Sequence, residues 1–203
     1  MKNGNVTNKY KGFMDGKSVY AFAAGDKAMY DFMDHNENIY NAYFSSIAHA
    51  KNTIYIETPY FIPDDALLTA LRTAVLSSVD VRIIFPSFPD HNVVYYASLS
   101  YLEELLELGC KVYLYEKGFI HSKMILVDEE IASVGTANMD IRSFMINFEV
   151  NAFIYDEPTI SRLYEIFEAD IKDSKELLYS DFKARPIVQK IAESAARLFS
   201  PIL

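Results

Sequence analysis

One cysteine stands in the whole 203-residue chain, Cys110, which excludes an internal disulfide framework and any zinc site built from several cysteines. It lies between Gly109 and the strand-like KVYLY, where a packed, inert thiol is expected. Cations are in deficit too. Nineteen Lys and Arg against 28 Asp and Glu leave a net charge of −9, which argues against general affinity for nucleic acid or an anionic membrane surface. An anionic substrate would have to be held by a local cluster of donors. No segment approaches the roughly 18 apolar residues that a spanning helix needs. The opening MKNGNVTNKYKGF has no apolar core of signal-peptide length. The expectation is a chain that is cytoplasmic or peripheral at the cell membrane, with any anchor belonging to a longer parent.

What the chain does have is core-forming material. At 51% hydrophobic and 23% charged, it is expected to fold as one domain with a substantial core. Residues 1–17, rich in Lys, Asn and Gly, read as a flexible tail or linker, and 18–203 as the domain. SVYAFAA reads as a strand, and Ile39, Tyr43, Ile47 and Ala50 share one face of a helix over about 36–51. The strand TIYIET runs into the turn-rich PYFIPDD, where Asp64 can cap a helix through about Ser78 that turns Leu67, Leu68, Leu71 and Val75 inward. DVRIIFP is the next strand, followed by a loop and a helix over 93–108 stopped by Gly109. Four strand candidates cluster at 111–116, 120–127, 131–135 and 148–155, before a helix over 158–171. The last segment puts Ile187, Ile191, Ala195 and Leu198 on one stripe, and Glu193 beside Lys190 and Arg197 favours packing on the protein body over lying on a bilayer. Strands alternating with helices, then a strand-rich centre, predict an α/β fold with a mixed sheet sandwiched by helices.

Within IHSKMILVDEEIASVGTAN (120–138), the polar residues are few and regularly placed. In a strand, His121 and Lys123 point the same way. A hairpin returning through Ile131 to Val134 would bring Gly135, Thr136 and Asn138 beside them. Lysine supplies a compact positive charge and asparagine a neutral donor, which suits the oxygens of a phosphodiester. Histidine can attack phosphorus or carry protons near neutral pH. On its own, an H-x-K pair is equally an incidental polar pair at a sheet edge. Glu149 alternates with Phe148 and Val150 and needs a partner, for which Arg142 or solvent would also serve.

The full spacing, H-x-K-x(4)-D-x(6)-G-[ST]-x-N, resembles the signature of the phospholipase D superfamily. IYIETPYFIPD, VDVRIIFP, GFIHSKMILVD, IASVGTANMDIRSF, NFEVNAFIYD and RLFSPIL resemble the C-terminal half of bacterial cardiolipin synthases, a likeness covering about residues 50–203. The resemblance implies a phospholipase D-like fold with a single HKD half. His121, Lys123, Asp128, Asn138 and Glu149 would be its catalytic set, with Gly135 and Thr136 binding substrate. It implies that Glu149 accepts the other imidazole N–H of His121, and that Asp128 holds the hairpin and its neighbours. It also implies phosphatidyl transfer between two phosphatidylglycerol molecules through a phosphohistidine, with no metal and no cofactor.

Such chemistry uses two histidines, and this chain departs from the two-motif synthases. His35, His49 and His91 are the other histidines, and none begins a second motif. A second HKD half is therefore expected, from a homodimer or from a missing N-terminal half. Expected partners are phosphatidylglycerol or a related phospholipid and a membrane surface, not nucleic acid. A homodimeric phosphodiesterase or nuclease of the same superfamily, or a module inactive without its partner half, are the alternatives. TPYFIPDD is expected to line the cleft or to form an ordinary turn. His91, Tyr95 and Tyr96 read as loop, core or rim residues.

Overall fold

The structure, a computed structural model, describes residues 10–14, 17–24 and 38–199. Its centre is a nine-stranded mixed sheet. One edge is the hairpin of β1 (Tyr10–Met14) and β2 (Lys17–Ala24). β3 (Thr53–Glu57), β5 (Asp80–Pro86) and β6 (Lys111–Tyr115) run parallel to one another. β7 (Met124–Val127), β8 (Ile131–Gly135) and β10 (Glu149–Ile154) join antiparallel, and β11 (Ser174–Glu176) closes the far edge on β6. The order is β1-β2-β10-β8-β7-β3-β5-β6-β11. β4 (Phe61–Ile62) and β9 (Met139–Asp140) form a separate parallel ladder.

Helices cover both faces, as the alternating pattern predicts. On one side α1 (Asn38–Ala48), α2 (Asp65–Leu76) and α3 (Asn92–Leu108) bury Tyr43, Leu71 and Leu102 with Ile54, Ile56, Ile83 and Phe85. Beyond the short α4 (Ile141–Met145), α5 (Glu157–Lys172) covers the other side, where Ile160 and Phe167 meet Tyr55, Ile84 and Leu126. Strands buried on both faces explain the near-continuous apolar runs of β3 and β5. α6 (Tyr179–Lys183) and α7 (Ile187–Leu198) pack on α3. Among the described residues no helix is long and apolar enough to cross a membrane.

Local signals set the boundaries. The Asp64 carboxylate accepts from the Leu67 amide at 2.9 Å, capping α2. Gly109 ends α3 at φ +105, a left-handed conformation that glycine adopts without a Cβ clash. Cys110 is buried, and that burial pushes its thiol pKa up, as befits an inert thiol.

Three expectations change. Tyr10–Met14 fall inside the stretch expected to be a tail, yet pair with β2. Met14 lies opposite Lys17 at the end of that pairing. Residues 1–9 and 15–16 lie outside the described residues. The strand expected over 120–127 begins only at Met124, because the Gly135 amide to the Lys123 carbonyl, at 3.2 Å, is the last rung before β8 turns away.

The third change is in α7. Its stripe of Ile187, Ile191, Ala195 and Leu198 faces outward instead of packing on the body, while Glu193 is buried. Arg185 explains the inversion. Its guanidinium binds Glu193 at 2.5 Å and Glu103 at 2.7 Å, and Gln189 donates to Glu193 at 2.9 Å. A buried carboxylate so held turns the charged side of the helix inward.

Candidate active site

The β7–β8 hairpin and the start of β10 organise the predicted residues. Asp128 and Glu129 make the turn with φ of +53 and +58. The Asp128 carboxylate accepts from the backbone amides of Lys51, Asn52 and Thr53 at 2.7, 2.7 and 2.8 Å. It thus clamps the entry to β3. Because β7 spans four residues, about 13 Å, Asp128 stands at the opposite end of the strand from Lys123.

At the other end, Lys123 is 9% exposed and donates from Nζ to the His121 carbonyl oxygen at 2.7 Å. Burial pushes the Lys123 pKa down, opposed by the carboxylates of Glu149, Asp140 and Asp90. The His121 ring is exposed and lies 5.7 Å from the Phe119 ring, tilted by 34°. A buried ammonium and an accessible imidazole thus share one short segment.

Past β8 the chain turns tightly against β10. A Cβ at Gly135 would meet the Val150 carbonyl oxygen at 2.3 Å and the Asn151 side chain at 2.4 Å, so only glycine fits. The Thr136 hydroxyl accepts from the Val150 amide at 2.9 Å, and the Thr136 amide donates to the Val150 carbonyl at 3.0 Å. Gly135 and Thr136 therefore serve the turn first. Asn138 donates to Asp140 at 3.1 Å, and its Oδ1 is buried with no hydrogen-bond partner among the described residues. Asp140 caps α4 through the Ser143 amide at 2.6 Å, and burial pushes its carboxyl pKa up.

One expected contact is different. Among the described residues no hydrogen bond joins Glu149 to His121; Glu149 Oε1 takes Asn147 Nδ2 at 3.2 Å. The reason is that His121 precedes the strand at an exposed position beside Phe119, whereas Glu149 lies on β10, beyond β8 in the sheet. Glu149 still belongs to the cluster through its field at Lys123 and Asp140.

Four residues outside the motif complete the surroundings. Asn151 is fully buried, donates to Tyr43 and Ser133 at 3.0 Å each, and accepts from the Ala137 amide at 3.2 Å, which fixes the turn. Thr58 accepts from the Met139 amide at 3.2 Å, tying TPYFIPDD to the turn after β8. Asp90 accepts from the Tyr60 hydroxyl. Glu57 is 3% exposed, and its pKa is pushed up to about 7 by burial and by Asp170, against a hydrogen bond from Ser122. Asn151 and Glu57 were visible as polar residues within strand patterns, the signal that picked out Lys123. His91 is an exposed loop residue, and Tyr95 stacks on Phe85 at 5.4 Å between ring centroids.

The arrangement sets an exposed histidine beside a buried, backbone-anchored ammonium in a cluster of carboxylates and carboxamides. A family model described as the PLD-like domain of cardiolipin synthase matches residues 43–171. The major cardiolipin synthase of Bacillus subtilis is 54% identical over 167 residues, which is 82% of this chain and 35% of that protein. The phosphatidylserine synthase structure from Haemophilus influenzae matches with a TM-score of 0.71 at 20% identity, covering 94% of this chain and 49% of that one. Nuc from Salmonella typhimurium, a phospholipase D family member, matches with a TM-score of 0.65 at 18% identity, over 79% of this chain and 98% of that one. At those identities the two structures speak to fold. The chain spans about a third of the length of the curated relatives it matches.

Proposed function

The chain belongs to the family of PLD-like domains of cardiolipin synthase, and on that premise we propose that it supplies one HKD half of a phosphatidyltransferase that makes cardiolipin at the membrane surface. His121 attacks the phosphorus of phosphatidylglycerol, forming a P–N bond as the P–O bond to glycerol breaks. A histidine from a second HKD half protonates the departing glycerol. The free hydroxyl of a second phosphatidylglycerol then attacks phosphorus and gives up its proton to that second histidine. The P–N bond breaks, and cardiolipin leaves.

What carries this reading is the pairing of Lys123 with His121. The ammonium is buried and anchored on the motif's own backbone, while the imidazole remains accessible. A fixed cation beside a nucleophile stabilises the charge that grows on phosphoryl oxygens. Asn138 adds a carboxamide beside Asp140. Glu149 and Asp140 help keep Lys123 charged.

The second half is a homodimeric copy or the companion half of a longer chain. The assay is cardiolipin formation from phosphatidylglycerol by the full chain, alone and with the complementary region of a relative, beside His121→Ala. Cardiolipin formed by the parent and lost in the variant is the expected result. Turnover that survives His121→Ala would remove the phosphohistidine route.

A further inference from the structure

α7 is built inside out. Ile187, Val188, Ile191, Leu198 and Phe199 are between 54% and 82% exposed, whereas Glu193 is 1% exposed and sealed by Arg185. Ala195 and Ser194 complete the outer face, which carries no acidic side chain. The charges left on the helix are Lys190 and Arg197, both half-buried at the borders of the stripe, with Lys183 one turn earlier. Arg197 leans over the Tyr101 ring at 4.3 Å and binds Glu104 at 2.5 Å, which further fixes the helix on α3.

We propose that the outer face of α7 is a membrane-docking surface that seats the protein on a phospholipid bilayer, an inference that rests on the lipid-transfer reading above. Apolar side chains with Lys190 and Arg197 along one border, the latter paired to Glu104, match the acyl boundary of a membrane interface. The face is a convex single helix, unlike the groove that receives a peptide. It is also small: 12 residues extend roughly 18 Å, and a stripe about one helix wide falls well short of the roughly 800 Å² per partner of a standard protein interface. A bilayer sets no such minimum, because each inserted side chain adds its own contribution. With a net charge of −9, the apolar contact and not the global field drives docking.

The experiment is sedimentation of the full chain with vesicles of mixed phosphatidylcholine and phosphatidylglycerol. Wild type is expected to sediment with them, and Ile187→Glu combined with Ile191→Glu to lose roughly tenfold or more in partitioning. Leu76→Glu, at an exposed apolar position on α2, is expected to leave it unchanged. The chain has no tryptophan, so Ile191→Trp provides a sole tryptophan, selectively excited at wavelengths above the tyrosine absorption, without adding charge. Its emission is expected to shift to the blue on vesicle addition, while that of Leu76→Trp stays put. Unchanged sedimentation in the double variant, or no shift at position 191, overturns the proposal. So does a wild-type dimer, by light scattering, that the double variant converts to monomer. Docking is measured without turnover: a chain that docks but makes no cardiolipin loses only the transfer reading, and one that turns over in micelles but does not dock loses only this one.

Discussion

The Lys123 side chain folds back to hold the carbonyl of His121, two residues earlier, so the motif's cation braces the backbone that carries the motif's imidazole. On the transfer reading proposed above, binding phosphate and fixing the backbone are tasks of one ammonium.

Lys123→Met keeps most of the aliphatic stem and removes the charge. Cardiolipin formation is expected to fall by roughly a hundredfold or more, the scale seen when one donor to a developing oxyanion is lost. Lys123→Arg is not expected to rescue it, since a planar fork cannot replace a compact ammonium in a buried site. Initial rates, with circular dichroism to confirm folding, check both variants.

Asp128 acts on stability. Removing its carboxylate in Asp128→Ala strands three backbone donors at the entry to β3 and leaves a β-carbon in a left-handed turn. The expected loss is about 2–4 kcal/mol by urea denaturation. Asp128→Asn keeps an acceptor and tolerates the left-handed conformation, and should lose about 1 kcal/mol. Faster hydrogen exchange at the Asn52 and Thr53 amides would locate the effect.

Glu57 predicts a pH slope. A carboxyl whose folded pKa is raised contributes its full stability below the unfolded value of 4.5 and loses it as pH rises through about 7. Glu57→Gln removes that loss. The variant should gain on wild type progressively between those pH values, reaching on the order of 3 kcal/mol above them. Urea midpoints across pH measure the difference, and parallel curves would show that Glu57 does not titrate in this range.

Arg185 neutralises a buried charge. Arg185→Ala leaves Glu193 uncompensated and should cost about 3–5 kcal/mol, whereas replacing Arg185 and Glu193 together by Met and Leu should be close to neutral. Thermal melts of the single and double variants separate the two cases.

The motif was legible because its polar residues interrupt an apolar run, and Asp64 and Gly109 were legible because caps have local chemistry. α7 shows the limit: periodicity reveals that a helix has two faces, but which face turns inward depended on Arg185, a residue outside that helix. The missing Glu149–His121 contact depended on where the ladder ends, which the rung between Gly135 and Lys123 decides. The β1–β2 pairing was hidden in Lys- and Asn-rich composition.

The pairing of β2 with β10 joins residues about 125 positions apart, Ala24 opposite Glu149. On a ribosome adding about 5–20 residues per second, β2 must wait roughly 6–25 s for its neighbour to emerge. Throughout that interval the nascent chain carries an open strand edge, a template on which another chain could pair.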